Sequence, residues 1–354
     1  MFKDLKVIEL AGVLAGPSVG HFFAELGATV VKIENPKTNG DVTRSWKLKT
    51  EDPKDKTSAY FWSVNSGKKF LSLDITAPSQ LQKLYDLVKD ADIIVTNYKA
   101  GDDLKLKVDY PTLSRLNPKL IYAAINGFGQ GSSRSAYDLI LQAESGFMSI
   151  NGEPNSQPLK MPVALIDLLA GHQLKEAILI ALLKRYQTDK GSYISVSLFD
   201  SAVASLANQA TNWLIGKSLP KALGSTHPNI APYGELFETK DNQLVTFAIG
   251  SNKQFKNLCE LIQYGSLAND PKYANNQLRV NNRTQLYALL FNYIKQFNFK
   301  QLFDLCLEKE IPVGKIRNLK EVFELSEAKK MIHTFTFDKK EISTVSGIAF
   351  KFSD

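Results

Sequence analysis

An apolar run, a small-residue turn, one helix length and a second apolar run open this chain, and that order leaves few folds available. Val7-Ile8-Glu9-Leu10 reads as a short strand that leads into Ala11-Gly12-Val13-Leu14-Ala15-Gly16-Pro17. Pro17 suits the first turn of a helix, where a missing N–H costs nothing. The helix is expected to reach Leu26 and stop at Gly27, and Thr29-Val30-Val31-Lys32-Ile33-Glu34 forms the next strand. Strand, helix and strand in this order make a β-α-β unit, whose right-handed crossover lays the two strands parallel in one sheet. Helices then cover the faces of the sheet, and the fold class is layered α/β.

The alternation continues. Phe70–Asp74, Asp92–Thr96 and Leu120–Ile125 read as further strands, with helices from Pro78 to Lys89 and from Tyr110. Gly127, Gly129 and Gly131 mark a loop, and helices are expected over Asp138–Phe147, Leu168–Arg185 and Ser197–Leu214. After Gly224 the pattern changes to two strands, Tyr233–Glu238 and Leu244–Ile249, joined at Asp241-Asn242. Helices follow near Lys253–Ile262, Arg283–Phe297 and Lys300–Glu308. The expected architecture is a Rossmann-like large domain with a parallel sheet over residues 1–200, rejoined by the strand-like stretch 330–354. A linker over 201–224 leads to a smaller α+β domain over 225–329.

Charge excludes some functions. The net charge is +7, yet the seven arginines, from Arg44 to Arg317, are dispersed, so nothing marks a nucleic-acid tail. No apolar run is long enough to span a bilayer. The chain opens on strand-like sequence without a signal-peptide pattern, and Cys259 and Cys306 sit in apolar helical patterns that suit buried thiols. The expectation is a cytoplasmic protein that binds neither nucleic acid nor membrane. His21, His172, His227 and His333 lie far apart, so no metal site is expected.

Glu34 ends the second strand, where a dinucleotide site holds a ribose. The turn before the first helix lacks G-x-G-x-x-G, however, and offers only Gly12 and Gly16. No G-x-S-x-G is present, and carboxylate chemistry remains. Asp167 stands between the apolar run from Met161 and an apolar helix. A carboxylate there can cap the free N–H groups of the helix. The same place suits a nucleophile, because the helix dipole favours the ionised form and an ionised carboxylate can attack an activated acyl group. Residue types and spacing leave both roles open.

Eight segments carry a resemblance. They are A-G-V-L-A-G-P at Ala11–Pro17, L-G-A-T-V-V-K-I-E-N-P at Leu26–Pro36, G-D-V-T-R at Gly40–Arg44 and N-S-G-K-K at Asn65–Lys69. A-D-I-I-V-T-N-Y at Ala91–Tyr98, Y-D-L-I-L-Q-A-E-S-G at Tyr137–Gly146, I-D-L-L-A-G at Ile166–Gly171 and H-P-N-I-A-P-Y-G at His227–Gly234 complete the set. In this order, from Leu5 to Phe352, the chain resembles the family III CoA-transferases, the group of formyl-CoA:oxalate CoA-transferase and the carnitine and bile-acid CoA-transferases.

The resemblance implies that Asp167 is the nucleophile, through an acyl-aspartyl anhydride and an aspartyl-CoA thioester. It implies an acyl-CoA and a small carboxylic acid as substrates, coenzyme A thioester as substrate rather than a permanently bound cofactor, and an interlocked homodimer. By position, Val13, Leu14 and Ala15 would lie along the CoA arm, and Lys68, Lys69, Asn97, Tyr98 and Lys105 match CoA-binding positions. Ser135 stands where formyl-CoA transferase has a lysine near the thioester, so that contact is either lost or shifted to Arg134. Arg44 would serve an anion or pair with Asp41. Tyr137, Trp46, Gly224 and His227 would line the active site, although the segment from Gly224 to Pro228 lacks the glycine run of formyl-CoA transferase.

The superfamily also contains α-methylacyl-CoA racemase, which uses the same aspartate and a histidine where this chain has Tyr137. A racemase needs two groups that exchange a proton at the α-carbon, and a tyrosine hydroxyl is a poor base at neutral pH. Tyr137 therefore favours transfer over racemisation. An inactive CoA-binding protein is the other alternative.

Overall fold

The computed structural model describes residues 1–353; residue 354, the last of the stretch expected to rejoin the large domain, lies outside them. The chain divides into two compact units. Among the described residues the first comprises 1–148, 160–220 and 330–353, and the second comprises 149–159 and 221–329.

In the first unit six strands form one sheet: β1 (Lys6–Leu10), β2 (Thr29–Glu34), β3 (Lys69–Ser72), β4 (Ile93–Thr96), β5 (Ile121–Asn126) and β6 (Ser192–Ser197). Their order is β3-β2-β1-β4-β5-β6 and every pairing is parallel. This is the strand order of dinucleotide-binding folds, which reverses direction between β1 and β4. Successive side chains of a strand point to opposite faces, and both faces are covered, so the central strands are largely apolar, with Glu9 of β1 a buried exception. Val7, Ile93 and Val95 face one core, with Phe23, Ile166 and Leu174. Ile8, Ile94 and Tyr122 face the other, with Leu84 and Leu113.

Helix α1 (Ala15–Glu25) follows β1, and α2 (Pro78–Lys89) precedes β4. The helix expected over Asp138–Phe147 ends early, as α3 (Asp138–Glu144), because Gly146 takes φ 90° and turns the chain before a short second helix. The long helix, α4 (Leu165–Thr188), starts three residues before the expected Leu168. It lies hard against α1. A Cβ at Gly171 would come within 2.4 Å of Ser18 Oγ, so only glycine permits this approach.

The C-terminal stretch returns to the first unit but does not extend the parallel sheet. Strands β10 (Ile332–Phe337) and β11 (Lys340–Val345) pair only with each other, antiparallel. Phe335 and Phe337 pack on Trp62 with centroids 5.2 and 4.7 Å away. Residues 201–220, expected as linker, belong to the first unit and include the helix Ala207–Leu214. The second unit has an antiparallel sheet of β7 (Tyr233–Glu238), β8 (Leu244–Ala248) and β9 (Val313–Lys315). Phe237, Phe247, Leu258 and Leu290 build a separate core there, and Cys259 and Cys306 are buried in it as free thiols.

Candidate active site

In parallel sheets of this order ligands bind beyond the carboxyl ends of the strands, at the reversal point. A cavity of about 290 Å³ lies there. Gly12 to Ala15 after β1, Asn97 to Ala100 after β4 and Asn126-Gly127 after β5 line it, and Asp167 enters from the first turn of α4.

The loop after β1 is fixed from two sides. Gly12 N–H donates to Asn97 Oδ1 at 3.0 Å, and Asn97 Nδ2 donates back to Gly12 O at 2.8 Å. Val13 takes φ 69°, a region that a β-branched residue avoids at a cost of about 1–3 kcal/mol. Its N–H donates to the Asp41 carboxylate at 3.2 Å, which holds it there.

Asp41 belongs to a buried ionic cluster. Lys32 Nζ stands 2.9 Å from Asp41 and 2.8 Å from Glu9, and donates to Ala11 O at 2.6 Å. Lys68 Nζ stands 2.7 Å from the other oxygen of Glu9 and donates to Pro17 O and Asn65 Oδ1. Burial by itself would raise the Glu9 carboxyl, but the two ammonium groups overcome it and hold Glu9 below its ordinary value. Burial pulls Lys68 down to about 8, against the pull of Glu9. A Cβ at Gly20 would collide with Glu9, so this glycine leaves room for the cluster.

Asp167 does not cap its helix. Asp138, from the start of α3, takes that part: its Oδ1 accepts the N–H of Ile166 at 2.7 Å and that of Asp167 at 3.4 Å. The Asp167 carboxylate is left facing the cavity, 8% exposed, and accepts no hydrogen bond among the described residues. Burial, and then the charge of Asp138, push its carboxyl up to about 7. Tyr60 belongs to the same neighbourhood. Burial raises its phenol first, followed by the charges of Asp167 and Asp138.

The expected site residues divide into three groups. Val13, Leu14, Ala15, Asn97, Tyr98, Arg134 and Tyr137 all line the Asp167 cavity. Burial pushes the Tyr98 phenol up to about 12. Trp46 does not line the cavity but packs edge-on against Tyr60, 5.1 Å between centroids. Arg134 is engaged already, 2.5 Å from Glu144 and stacked 3.8 Å over Phe128.

Lys68, Lys69 and Lys105 do not line it. Lys68 is sealed in the ionic cluster, because a buried Glu9 requires a counter-charge. Lys69 is exposed on β3, and Lys105 pairs with Asp102 at 3.0 Å. Arg44 pairs with Glu34 rather than Asp41: its Nε and Nη2 donate to the two carboxylate oxygens at 2.8 and 2.6 Å. That fork occupies the acid that a ribose would need. Gly224 and His227 belong to the second unit. Gly224 takes φ 62° and donates to Gly152 O, and His227 Nδ1 accepts the Asn229 N–H at 3.1 Å.

Sequence reasoning missed Asp41, Tyr60, Lys99 and Asp138. Asp138 lay inside a quoted motif without a role, Asp41 was considered only as a partner for Arg44, and Tyr60 and Lys99 had no local signal. A second cavity, of about 210 Å³, shares Gly12 and Tyr98 with the first and continues past Glu34, Thr38 and Gly40.

The family model described as CoA-transferase family III matches residues 2–354. The chain belongs to CoA-transferase family III. This family III enzyme is 38% identical to a succinate–glutarate CoA-transferase of Agrobacterium fabrum, over 91% of this chain and 81% of that protein. It is 33% identical to an acetyl-CoA:oxalate CoA-transferase of Acetobacter aceti, over 92% of this chain and 82% of that protein. Among solved structures, a CAIB/BAIF family protein from Brucella suis matches with a TM-score of 0.83 and 36% identity, covering 99% of this chain and 92% of that one. The chain is thus an acyl-CoA:carboxylate CoA-transferase of family III, with a coenzyme A thioester as substrate.

Proposed function

We propose that this CoA-transferase moves coenzyme A between dicarboxylic acids of the succinate and glutarate class, with Asp167 as the covalent nucleophile. The observation that carries the reading is the division of labour between two carboxylates. Asp138 takes the N–H groups at the helix start, so the Asp167 carboxylate is free to face the cavity. The names of relatives such as the Agrobacterium enzyme support the substrate class.

In the first step an Asp167 oxygen attacks the thioester carbonyl, the C–S bond breaks, and CoA leaves as thiolate. The product is an acyl-aspartyl anhydride. The thiolate then attacks the aspartyl carbonyl and releases the donor acid as carboxylate, which leaves aspartyl-CoA thioester. The acceptor carboxylate attacks that thioester, and the returning thiolate takes the acceptor acyl group from the new anhydride. Protons balance throughout, because carboxylates and thiolate alone exchange.

Anhydrides hydrolyse, so the cavity must exclude water. The burial that raises Asp167 serves that end, and it makes the carboxylate more basic and less solvated. We place the thioester end of CoA in the Asp167 cavity and its adenosine end in the adjoining one, because Gly12 and Tyr98 wall both. The apolar side chains that α4 leaves in solvent, Ile180, Leu183 and Tyr186, support a homodimer.

The test is a transfer assay from succinyl-CoA to a panel of mono- and dicarboxylic acids, with Asp167→Ala as control. Formation of glutaryl-CoA by the wild type and none by the variant is expected. Turnover that survives in Asp167→Ala would remove Asp167 from the chemistry, and a preference for monocarboxylic acceptors would overturn the substrate class.

A further inference from the structure

The segment from Trp46 to Tyr60 is an Ω-loop, whose ends meet and whose interior is filled by its own side chains. The rings of Trp46 and Tyr60 close it edge-on, 5.1 Å between centroids. One carboxylate also ties both ends: Glu51 accepts the Leu48 N–H at 2.8 Å and the Ala59 N–H at 2.7 Å. Lys47 holds the middle. Its ammonium donates to the carbonyl oxygens of Asp52, Pro53 and Asp55 at 2.8, 3.1 and 2.5 Å. An ammonium carries three N–H donors on one atom, so each finds one oxygen. The nearby carboxylates are engaged elsewhere: Asp52 accepts the Lys54 N–H, and Asp55 pairs with Lys340. Neutral carbonyl dipoles face this cation, much as rings of carbonyls replace the water around a potassium ion.

The loop reaches the Asp167 cavity through buried hydrogen bonds. Ser58 accepts the Phe61 N–H at 3.0 Å and donates to Thr43 O at 2.6 Å. Thr43 donates through its N–H and its hydroxyl to Asp41 Oδ1, at 3.0 and 2.8 Å. Asp41 holds the N–H of Val13, and Val13 lines the cavity in its left-handed conformation. Ser58 and Thr43 are sealed from solvent, so water does not compete for these bonds.

We propose that Lys47 is a positioning residue for CoA transfer. Its ammonium sets the shape of the 46–60 loop, and the loop fixes Val13 through Ser58, Thr43 and Asp41. The proposal deepens the transferase reading and rests on it for the acylation step that this clasp serves.

Two measurements on the full chain test it, one of them without turnover. Amide hydrogen exchange, read by mass spectrometry, follows the peptides that carry Gly12-Val13 and residues 46–62. Rapid-quench release of thiol at saturating succinyl-CoA follows the first acylation. Lys47→Ala should speed exchange in both peptides and slow acylation, each about tenfold, as expected for loss of charge-assisted bonds. Exchange in β4 and β5 should not change. n-Propylammonium is the part of the side chain that Lys47→Ala removes. Added to this variant, it should restore both protection and rate in a saturable way. Tetramethylammonium has the same charge but no N–H, and should restore neither.

A change below twofold in both measurements overturns the proposal. So does faster exchange confined to 46–62, which would show no coupling to Val13, or an equal rise in β4 and β5, which would report general loosening. Restoration by both cations, or by neither, also overturns it. If Lys47→Ala fails to fold, Lys47→Met, which keeps the stem and removes the donors, decides by exchange and rate. Failure of the transferase reading looks different: the wild type releases no thiol from succinyl-CoA, and the exchange of Gly12-Val13 then decides on Lys47 alone.

Discussion

Asp138 Oδ1 accepts the backbone N–H of Ile166 at 2.7 Å, so the helix that presents Asp167 is capped by a residue 29 positions away in sequence. One carboxylate thereby both aligns the other and raises its pKa. Asp138→Asn keeps an acceptor oxygen and removes the charge. Acylation of this variant should reach its plateau at lower pH than the wild type, while its melting temperature changes little. Asp138→Ala should lose about 1 kcal/mol of stability as well, since the cap itself is gone. Rapid-quench pH profiles and thermal melts of the two variants separate charge from capping.

The pH profile of the wild type follows from the same site. In the proposed mechanism only the ionised form of Asp167 attacks, and burial, followed by the charge of Asp138, pushes its carboxyl up to about 7. Below pH 7 the rate of acylation should fall close to tenfold per pH unit, and above it the rate should level off. Single-turnover release of thiol from succinyl-CoA measures this. A profile flat down to pH 5 would mean that the nucleophile has an ordinary carboxylate pKa.

Stability should run the opposite way. The folded protein holds a proton on Asp167 up to about pH 7, whereas the unfolded chain gives it up near the usual carboxylate value. Between those pH values the folded state binds more protons, so the stability associated with Asp167 is complete in acid and is lost as pH rises through 7. Asp167→Asn cannot ionise. It should be more stable than the wild type at pH 8, by on the order of 1–3 kcal/mol, and nearly equal at pH 4. Chemical denaturation at the two pH values checks this. An Asp167→Asn variant less stable at pH 8 would contradict the assignment.

Lys68 serves the fold. Removal of one member of a buried ionic cluster strands its partners, and Lys68→Ala should cost about 3–5 kcal/mol. CoA affinity of the fraction that remains folded should stay within twofold of the wild type. A stable Lys68→Ala with weakened CoA binding would return Lys68 to the ligand site.

These cases show what a sequence read alone carries. The β-α-β opening specified the parallel sheet, because strand length, the small-residue turn and Pro17 all act locally. Gly171 was visible within I-D-L-L-A-G, but its reason was not: the contact with Ser18 joins residues that only the packing of α1 on α4 brings together. Lys68 and Lys69 are adjacent and alike in sequence, yet one is sealed against Glu9 and the other lies in solvent. Asp167 could be named as a candidate, while its release from capping depended on Asp138, a residue on another element.

The C-terminal strands gave the clearest difference. Alternation in Phe335 to Phe352 signalled strands and could not say with which partner they pair. They form their own hairpin, anchored by Phe335 and Phe337 on Trp62.

Peptide mass spectrometry after incubation with succinyl-CoA and hydroxylamine tests the central claim most directly. Hydroxylamine converts an aspartyl anhydride or aspartyl-CoA thioester into a hydroxamate on the attacked residue. A hydroxamate at Asp167 in the wild type, and none in Asp167→Asn, is the predicted result. Transfer of CoA without any modification of Asp167, or a hydroxamate on a different carboxylate, would contradict the account.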